Sequence, residues 1–233
     1  MKTIQSQKIV ALLPMKANSE RVVGKNFRDF YGKPLFRWIL DSLLSVTEID
    51  NIVINTDARN ILAQNGLLET DRILIRDRKH EICGDNISMN LVLADDVSNI
   101  SSDLYLMTHT TNPLLSTNTV QRAIQSFYYA QAQGIADSLF SVNKVQTRFY
   151  RADCSPVNHD PKNLLRTQDL EPWFEENSNL YIFTKESFFR TNARIGNNPM
   201  MFETPCYESI DIDTPEDWDF ANAAVRYLQE KKS

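Results

Sequence analysis

Short runs rich in apolar and β-branched residues alternate with stripes of apolar residues at helical spacing, and this alternation constrains the fold more than any other feature of the chain. "KIVALLP" (8–14), "NIVINTD" (51–57), "DRILIRD" (71–77), "DLYLMTH" (103–109) and "DSLFSVNK" (137–144) read as strands. Between them lie "PLFRWILDSLLS" (34–45), "ARNILAQNG" (58–66), "ISMNLVLADDVSNI" (87–100) and "TNTVQRAIQSFYYAQAQG" (117–134), which read as helices, two of them closed by Gly66 and Gly134. Pro34 suits a first helical turn. The pattern predicts an α/β fold with a mainly parallel sheet flanked by helices.

Beyond residue 145 the period lapses. Residues 146–178 are polar and contain Pro and Arg, which points to a protruding lid or oligomerisation segment within a single domain spanning 1–233. "NLYIFTKESFF" (179–189) and "YESIDID" (207–213) resume the strand signal, and a last helix starts with Thr214 as N-cap, Pro215 at its first position and Glu216 and Asp217 in its first turn.

With 233 residues, 42% of them hydrophobic, the chain can bury a sizeable core. A net charge of −5 argues against a general grip on nucleic acid, so any phosphate binding must be local. Cys83, Cys154 and Cys206 form no C-x-x-C pair and suggest neither a disulfide framework nor a zinc site, which predicts a reducing cytoplasm. The apolar run near the N-terminus is too short for a membrane span and lacks a cleavage pattern behind it, so no membrane partner is expected.

In parallel α/β sheets ligands bind beyond the carboxyl ends of the strands. There the chain places a basic loop, 15–26, after the first strand, Asp57 after the second, Arg76 and Arg78 after the third, and "HTTNP" (109–113) after the fourth. The loop has neither a dinucleotide fingerprint nor a Walker sequence. It offers Lys16, Arg21 and Lys25 around Asn18 and Ser19: either cations and turn N–H groups for phosphate oxygens, or a solvated connection. Asp211 and Asp213, spaced by two, project from one face of an extended segment and suit a hard cation such as Mg²⁺, unless one faces solvent and the other supports the helix start. Together, loop and pair have the charge plan of nucleotidyl transfer. His80, His109 and His159 lack metal-ligand spacing. Trp38, Trp173 and Trp218 read as core or interface.

Five segments in order, "LLPMKANSERVVGKNFRDFYGKPL", "IVINTD", "THTTNPLL", "NLYIF" and "ESIDIDTPEDWDFANA", resemble the CMP-sialic acid synthetase (acylneuraminate cytidylyltransferase) family over nearly the whole chain. The resemblance implies a Rossmann-like nucleotidyltransferase fold, a homodimer built through the 146–178 region, and transfer of CMP from CTP to a hydroxyl of an acidic sugar with release of pyrophosphate. It implies nucleotide contacts from Leu13, Pro14, Lys16, Asn18, Ser19, Arg21, Lys25, Asn26, Arg78 and Asp85, with Lys16, Lys25 and Asp211 catalytic and Mg²⁺ held by Asp211 and Asp213. Lys16 stands where the family carries Arg, keeping the charge but losing the guanidinium fork. Arg78, seven residues before Asp85, matches the family's Arg-to-Asp spacing.

On the acceptor side the family's "QPTSPLR" becomes "HTTNPLL" and "RPNGAIY" becomes "EENSNLY", so His109 replaces a Gln while Leu115 and Glu175 replace arginines. His109, Thr110, Thr111, Asn112, Arg151, Arg166, Glu175 and Asn177 are the expected substrate contacts, and the altered charges point to a changed acceptor preference. A hydroxylated phosphonate as acceptor, or a non-catalytic nucleotide-binding homologue, are the alternatives.

Overall fold

A computed structural model describes residues 7–17, 19 and 21–231. Asn18, expected at the nucleotide, lies outside the described residues.

In chain order the elements are β1 (Ile9–Leu12), β2 (Asp29–Phe30), β3 (Lys33–Pro34), α1 (Leu35–Leu44), β4 (Asn51–Thr56), α2 (Arg59–Gln64), β5 (Ile73–Asp77), α3 (Met89–Asn99), β6 (Leu104–Thr108), α4 (Thr117–Ala132), β7 (Ser138–Val145), β8 (Trp173–Phe183), α5 (Lys185–Thr191), β9 (Pro199–Glu203) and α6 (Pro215–Glu230). Seven strands form one sheet in the order β5-β4-β1-β6-β8-β7-β9, while β2 and β3 make a separate hairpin. β1 pairs in parallel with β4 and β6, β4 with β5 and β7 with β9; β8 runs antiparallel to both β6 and β7.

The central strands are apolar throughout because both faces of the sheet are covered. Ile9 and Ala11 face a core that includes Phe36, Ile39, Leu40 and Leu43 of α1 and Val120, Ile124 and Phe127 of α4. Val10 and Leu12 face the opposite core, with Leu93 and Val97 of α3 and Phe188 of α5. A third cluster joins Val22 and Phe30 to Ile210, Ile212 and Trp218, clamping α6 and the chain before it onto the loop that follows β1.

The structure corrects three expectations. Residues 207–213 form a turn and an extended stretch outside the sheet; the loop after β6 holds them through Ile212 N–H to Thr111 O at 2.9 Å, so they lack the ladder that would make a strand. β9, unread in the sequence because it opens on Pro199 and leaves most of its residues partly or fully exposed, takes the sheet edge instead. β8 starts at Trp173, inside the segment read as patternless. It is interrupted by a bulge: Phe140 pairs with Tyr181 and Val142 with Glu176, leaving residues 177–180 opposite Ser141 alone. In a smaller departure, Pro34 precedes α1 with extended backbone.

Candidate active site

β1 extends its parallel pairing one step into the following loop, with Leu13 N–H bonded to Val53 O and Met15 N–H to Asn55 O, both at 2.9 Å. From there side chains govern the loop's course. The Asp57 carboxylate accepts Ala17 N–H at 2.7 Å, the Asn26 amide donates to Lys16 O at 2.8 Å, and the Thr110 hydroxyl donates to Asn26 Oδ1 at 2.6 Å. Gly24, at φ +62°, turns the chain left-handed into the single helical turn of residues 25–27. That turn drives Lys25 inward until it is 7% exposed.

Lys25 Nζ donates to Ile212 O at 2.5 Å and to Asp213 Oδ1 at 3.1 Å. Arg21 reaches the other oxygen of Asp213 at 2.9 Å, and Lys16 pairs with Asp85 at 2.6 Å. These groups line a cleft of about 260 Å³ with Pro14, Ser19, Asn26, Arg78, Met89, His109, Thr110 and Thr111. Parts of the chain up to 188 positions apart thus meet at the carboxyl ends of β1, β4, β5 and β6.

The remaining residues expected at the nucleotide have supporting positions. Leu13 is fully buried in the core. Arg78 borders the cleft, yet its guanidinium donates to Asn55 Oδ1 at 2.9 Å, Asn55 O at 2.8 Å and Met15 O at 3.3 Å, and burial lowers its pKa. Asn55 in turn bonds Asp96, which is ion-paired to Arg76. Arg78 therefore struts the base of the loop. Burial raises the Asp96 carboxyl to about 6, with Asn55 and Arg76 opposing the shift.

Asp211 and Asp213 flank the fully buried Ile212. Asp213 faces the cleft. Asp211 lies outside the cleft lining, its Oδ1 buried without a hydrogen-bond partner among the described residues; burial raises its pKa, opposed by the Thr111 side chain. The Asp217 carboxylate accepts Asp213 N–H at 3.0 Å and Thr214 N–H at 2.7 Å, while the Thr214 side chain accepts Asp217 N–H, so the capping box of α6 also fixes the acidic pair.

Of the expected substrate residues, His109, Thr110 and Thr111 border the cleft. Burial and the neighbouring Arg194 push the His109 imidazole down to about 3, so it is neutral at physiological pH. Asn112 is buried and donates to Ile210 O at 3.4 Å. Asn177 is the hub of the β8 bulge, accepting from Ser141 Oγ at 2.6 Å and donating to Thr204 Oγ1 at 2.7 Å and Asn143 Oδ1 at 2.9 Å. Arg151, Arg166 and Glu175 do not line the cleft: Arg151 is exposed, Arg166 is held by Asp169 at 2.6 Å, and Glu175 accepts from Asn143 at 3.1 Å. Leu115 is fully buried against the α4 side of the sheet and faces the core.

Sequence reasoning missed Arg194. Its Nη1 lies 3.4 Å from His109 Nε2 and its guanidinium stacks 3.9 Å over the Tyr181 ring. It sits in an irregular stretch after α5, where no periodicity points to it. The role of Asp57 at the loop backbone was visible only as its position at a strand end.

A mostly parallel sheet with a cation-lined cleft at its carboxyl edge defines a Rossmann-like nucleotidyltransferase. The solved structure of 4-diphosphocytidyl-2C-methyl-D-erythritol synthase from Anaerococcus prevotii shares the fold, with a TM-score of 0.69 at 15% identity over 98% of this chain and 100% of that one. The model of the cytidylyltransferase family matches residues 10–229, and the chain belongs to that family. Similar over full length are the pseudaminic acid cytidylyltransferase of Campylobacter jejuni, 24% identical over 230 residues (96% of this chain, 98% of that protein), and the CMP-N,N'-diacetyllegionaminic acid synthase of Legionella pneumophila, 24% identical over 239 residues (96% and 98%).

Proposed function

We propose that this cytidylyltransferase moves CMP from CTP onto a hydroxyl of a nonulosonic acid or related 2-keto sugar acid and releases pyrophosphate. The observation that carries this reading is the convergence of Lys16, Arg21 and Lys25 with Asp213 in one cleft, the charge pattern a triphosphate requires. The acceptor class follows the named substrates of the full-length relatives.

In this mechanism the acceptor hydroxyl attacks the α-phosphorus in line with the departing pyrophosphate. Positioning and neutralisation of charge supply most of the rate. Lys25, fixed by Ile212 O, and Arg21 balance the negative charge that grows on the leaving group, and Lys16 closes the loop side. His109, neutral at working pH, is an uncharged hydrogen-bonding group on the cleft wall.

The acidic pair fits Mg²⁺. Asp211 has a buried oxygen without a partner among the described residues, Asp213 faces the cleft, and an all-oxygen donor set suits a hard cation that takes its other ligands from phosphate and water. When bound, the ion supplies Lewis-acid polarisation of the phosphate oxygens.

The segment between β7 and β8 supports a homodimer. Tyr150, Leu164, Leu165, Trp173 and Phe174 are all exposed apolar residues on or beside it. Light scattering is expected to give twice the chain mass.

The proposal is tested with a panel of acceptors, pseudaminic, legionaminic, N-acetylneuraminic and 3-deoxy-octulosonic acids and a hydroxylated phosphonate, each with CTP and Mg²⁺ and scored by pyrophosphate. Release with at least one sugar acid is expected. Release with the phosphonate alone overturns the acceptor class.

A further inference from the structure

We propose that Arg194 is the specificity-determining residue for the acceptor, binding its carboxylate at the His109 end of the cleft; the inference rests on the acceptor half of the reading above.

Arg194 is a largely enclosed cation without a satisfactory anion. Its side chain is 20% exposed, and its one ion pair among the described residues is with Glu176 at 3.5 Å. Charge-assisted bonds of this kind normally run to about 2.7–2.9 Å. The same Glu176 oxygen is already engaged by the Tyr181 hydroxyl. Among the described residues the other hydrogen-bond contact of the guanidinium is His109 Nε2 at 3.4 Å, on a ring that is itself neutral and borders the cleft. Several of the five donors of the planar fork are thus left to an outside partner, and the fork matches the two oxygens of a carboxylate.

The guanidinium is also held in place. It lies flat over Tyr181, whose ring is fully buried between β6 and β7. The chain that carries it is tied on both sides. Thr191 Oγ1 donates to Ile195 O at 3.0 Å, Gly196 N–H donates to Ser138 Oγ at 2.8 Å, and the Asp137 carboxylate accepts Asn197 and Asn198 N–H, each at 3.0 Å. A Cβ at Gly196 would collide with that carboxylate, so the close approach requires glycine. A donor fork fixed by packing and second contacts in this way binds without a large ordering cost.

The test is calorimetric titration of the wild type, Arg194→Gln and Arg194→Lys. Each protein is first loaded with α,β-methylene-CTP and Mg²⁺, then titrated with pseudaminic, legionaminic or N-acetylneuraminic acid or its methyl ester. A lost charge-assisted hydrogen-bond pair predicts about 10- to 100-fold weaker binding of the acid by Arg194→Gln, a smaller loss for Arg194→Lys, and collapse of the acid-over-ester preference. Affinity for the CTP analogue should stay within about twofold in all three, which also reports an intact fold. Arg194→Gln binding the acid as the wild type does, or keeping the same acid-to-ester ratio, overturns the proposal. So does a wild type that binds the CTP analogue but none of the acids, which leaves the donor half of the reading standing. Arg194-dependent acid binding, with no pyrophosphate released when CTP replaces the analogue, would instead overturn the proposed transfer and leave the anchor intact.

Discussion

Asp213 receives Arg21 on one oxygen and Lys25 on the other, and so joins the basic loop after β1 to the acidic pair. In the proposed reaction a triphosphate would compete with Asp213 for both cations, tying the grip on the donor to the release of a carboxylate for the metal. Lys25→Met keeps the volume of the buried stem and removes the charge. Loss of an enclosed donor aimed at the reacting phosphates is expected to lower the rate of pyrophosphate release by at least about 100-fold, with unfolding free energy shifted by no more than about 2 kcal/mol. Activity within tenfold of wild type would remove Lys25 from the catalytic machinery. His109 has a pH signature. Its folded pKa of about 3 lies below its ordinary 6.5, so between those values the unfolded chain binds the extra proton. The stability it contributes is complete above 6.5 and is lost as the pH falls through that window. In urea unfolding between pH 7 and pH 4, wild type should therefore lose stability faster than His109→Gln, by up to about 1.4 kcal/mol per pH unit. Parallel curves would show that the imidazole is not enclosed.

The elements that carry the site differ in how openly the sequence declares them. β1, β4 and β6 are short, mainly apolar runs buried on both faces, β5 at the sheet edge alternates buried and exposed residues, and α6 begins with a complete capping box, so their positions follow from local chemistry alone. The bulge in β8 does not. Residues 177 and 178 fall in the segment read as patternless because the polar groups of the bulge are satisfied by distant partners inside the protein: Asn177 and Ser141 bond directly, Asn179 donates to Glu208 O at 3.0 Å, and Thr108 Oγ1 donates to Asn179 O at 2.8 Å. Ser178 takes a left-handed φ of +55° to allow it. A buried polar network of this kind is costly to break, so Asn177→Ala should lower unfolding free energy by about 2–4 kcal/mol in urea titration. A change under about 0.5 kcal/mol would mean the bulge holds itself. The same reasoning explains Arg194: its position depends on Tyr181, Glu176 and Ser138, partners brought in by tertiary structure and carrying no local signal. Leu115 shows the converse error, since substitution within a familiar stretch suggested a pocket residue where the helix packing makes it core.

At the scale of the whole molecule, the reversal at β8 divides labour. The parallel strands on one side end in the loops that hold Lys16, Arg21, Lys25 and Arg78, while β8 and the chain from α5 to β9 bring Glu176, Tyr181 and Arg194 up behind His109, which borders the cleft from the other side. In the proposed reaction donor and acceptor would then be held by opposite halves of one sheet. The donor half was legible in the sequence through its cations and the distant acidic pair. The acceptor half was not, because its groups lie on a bulge and an irregular loop. The account requires that the bond broken in CTP is the one between the α-phosphorus and the bridging oxygen. Phosphorus NMR of the protein with CTP, Mg²⁺ and a nonulosonic acid observes this directly. The account predicts a new phosphodiester resonance from the CMP-linked sugar rising in equal amount with free pyrophosphate. CDP appearing with a phosphorylated acceptor, or a CTP spectrum unchanged with every acid of the panel, would contradict it.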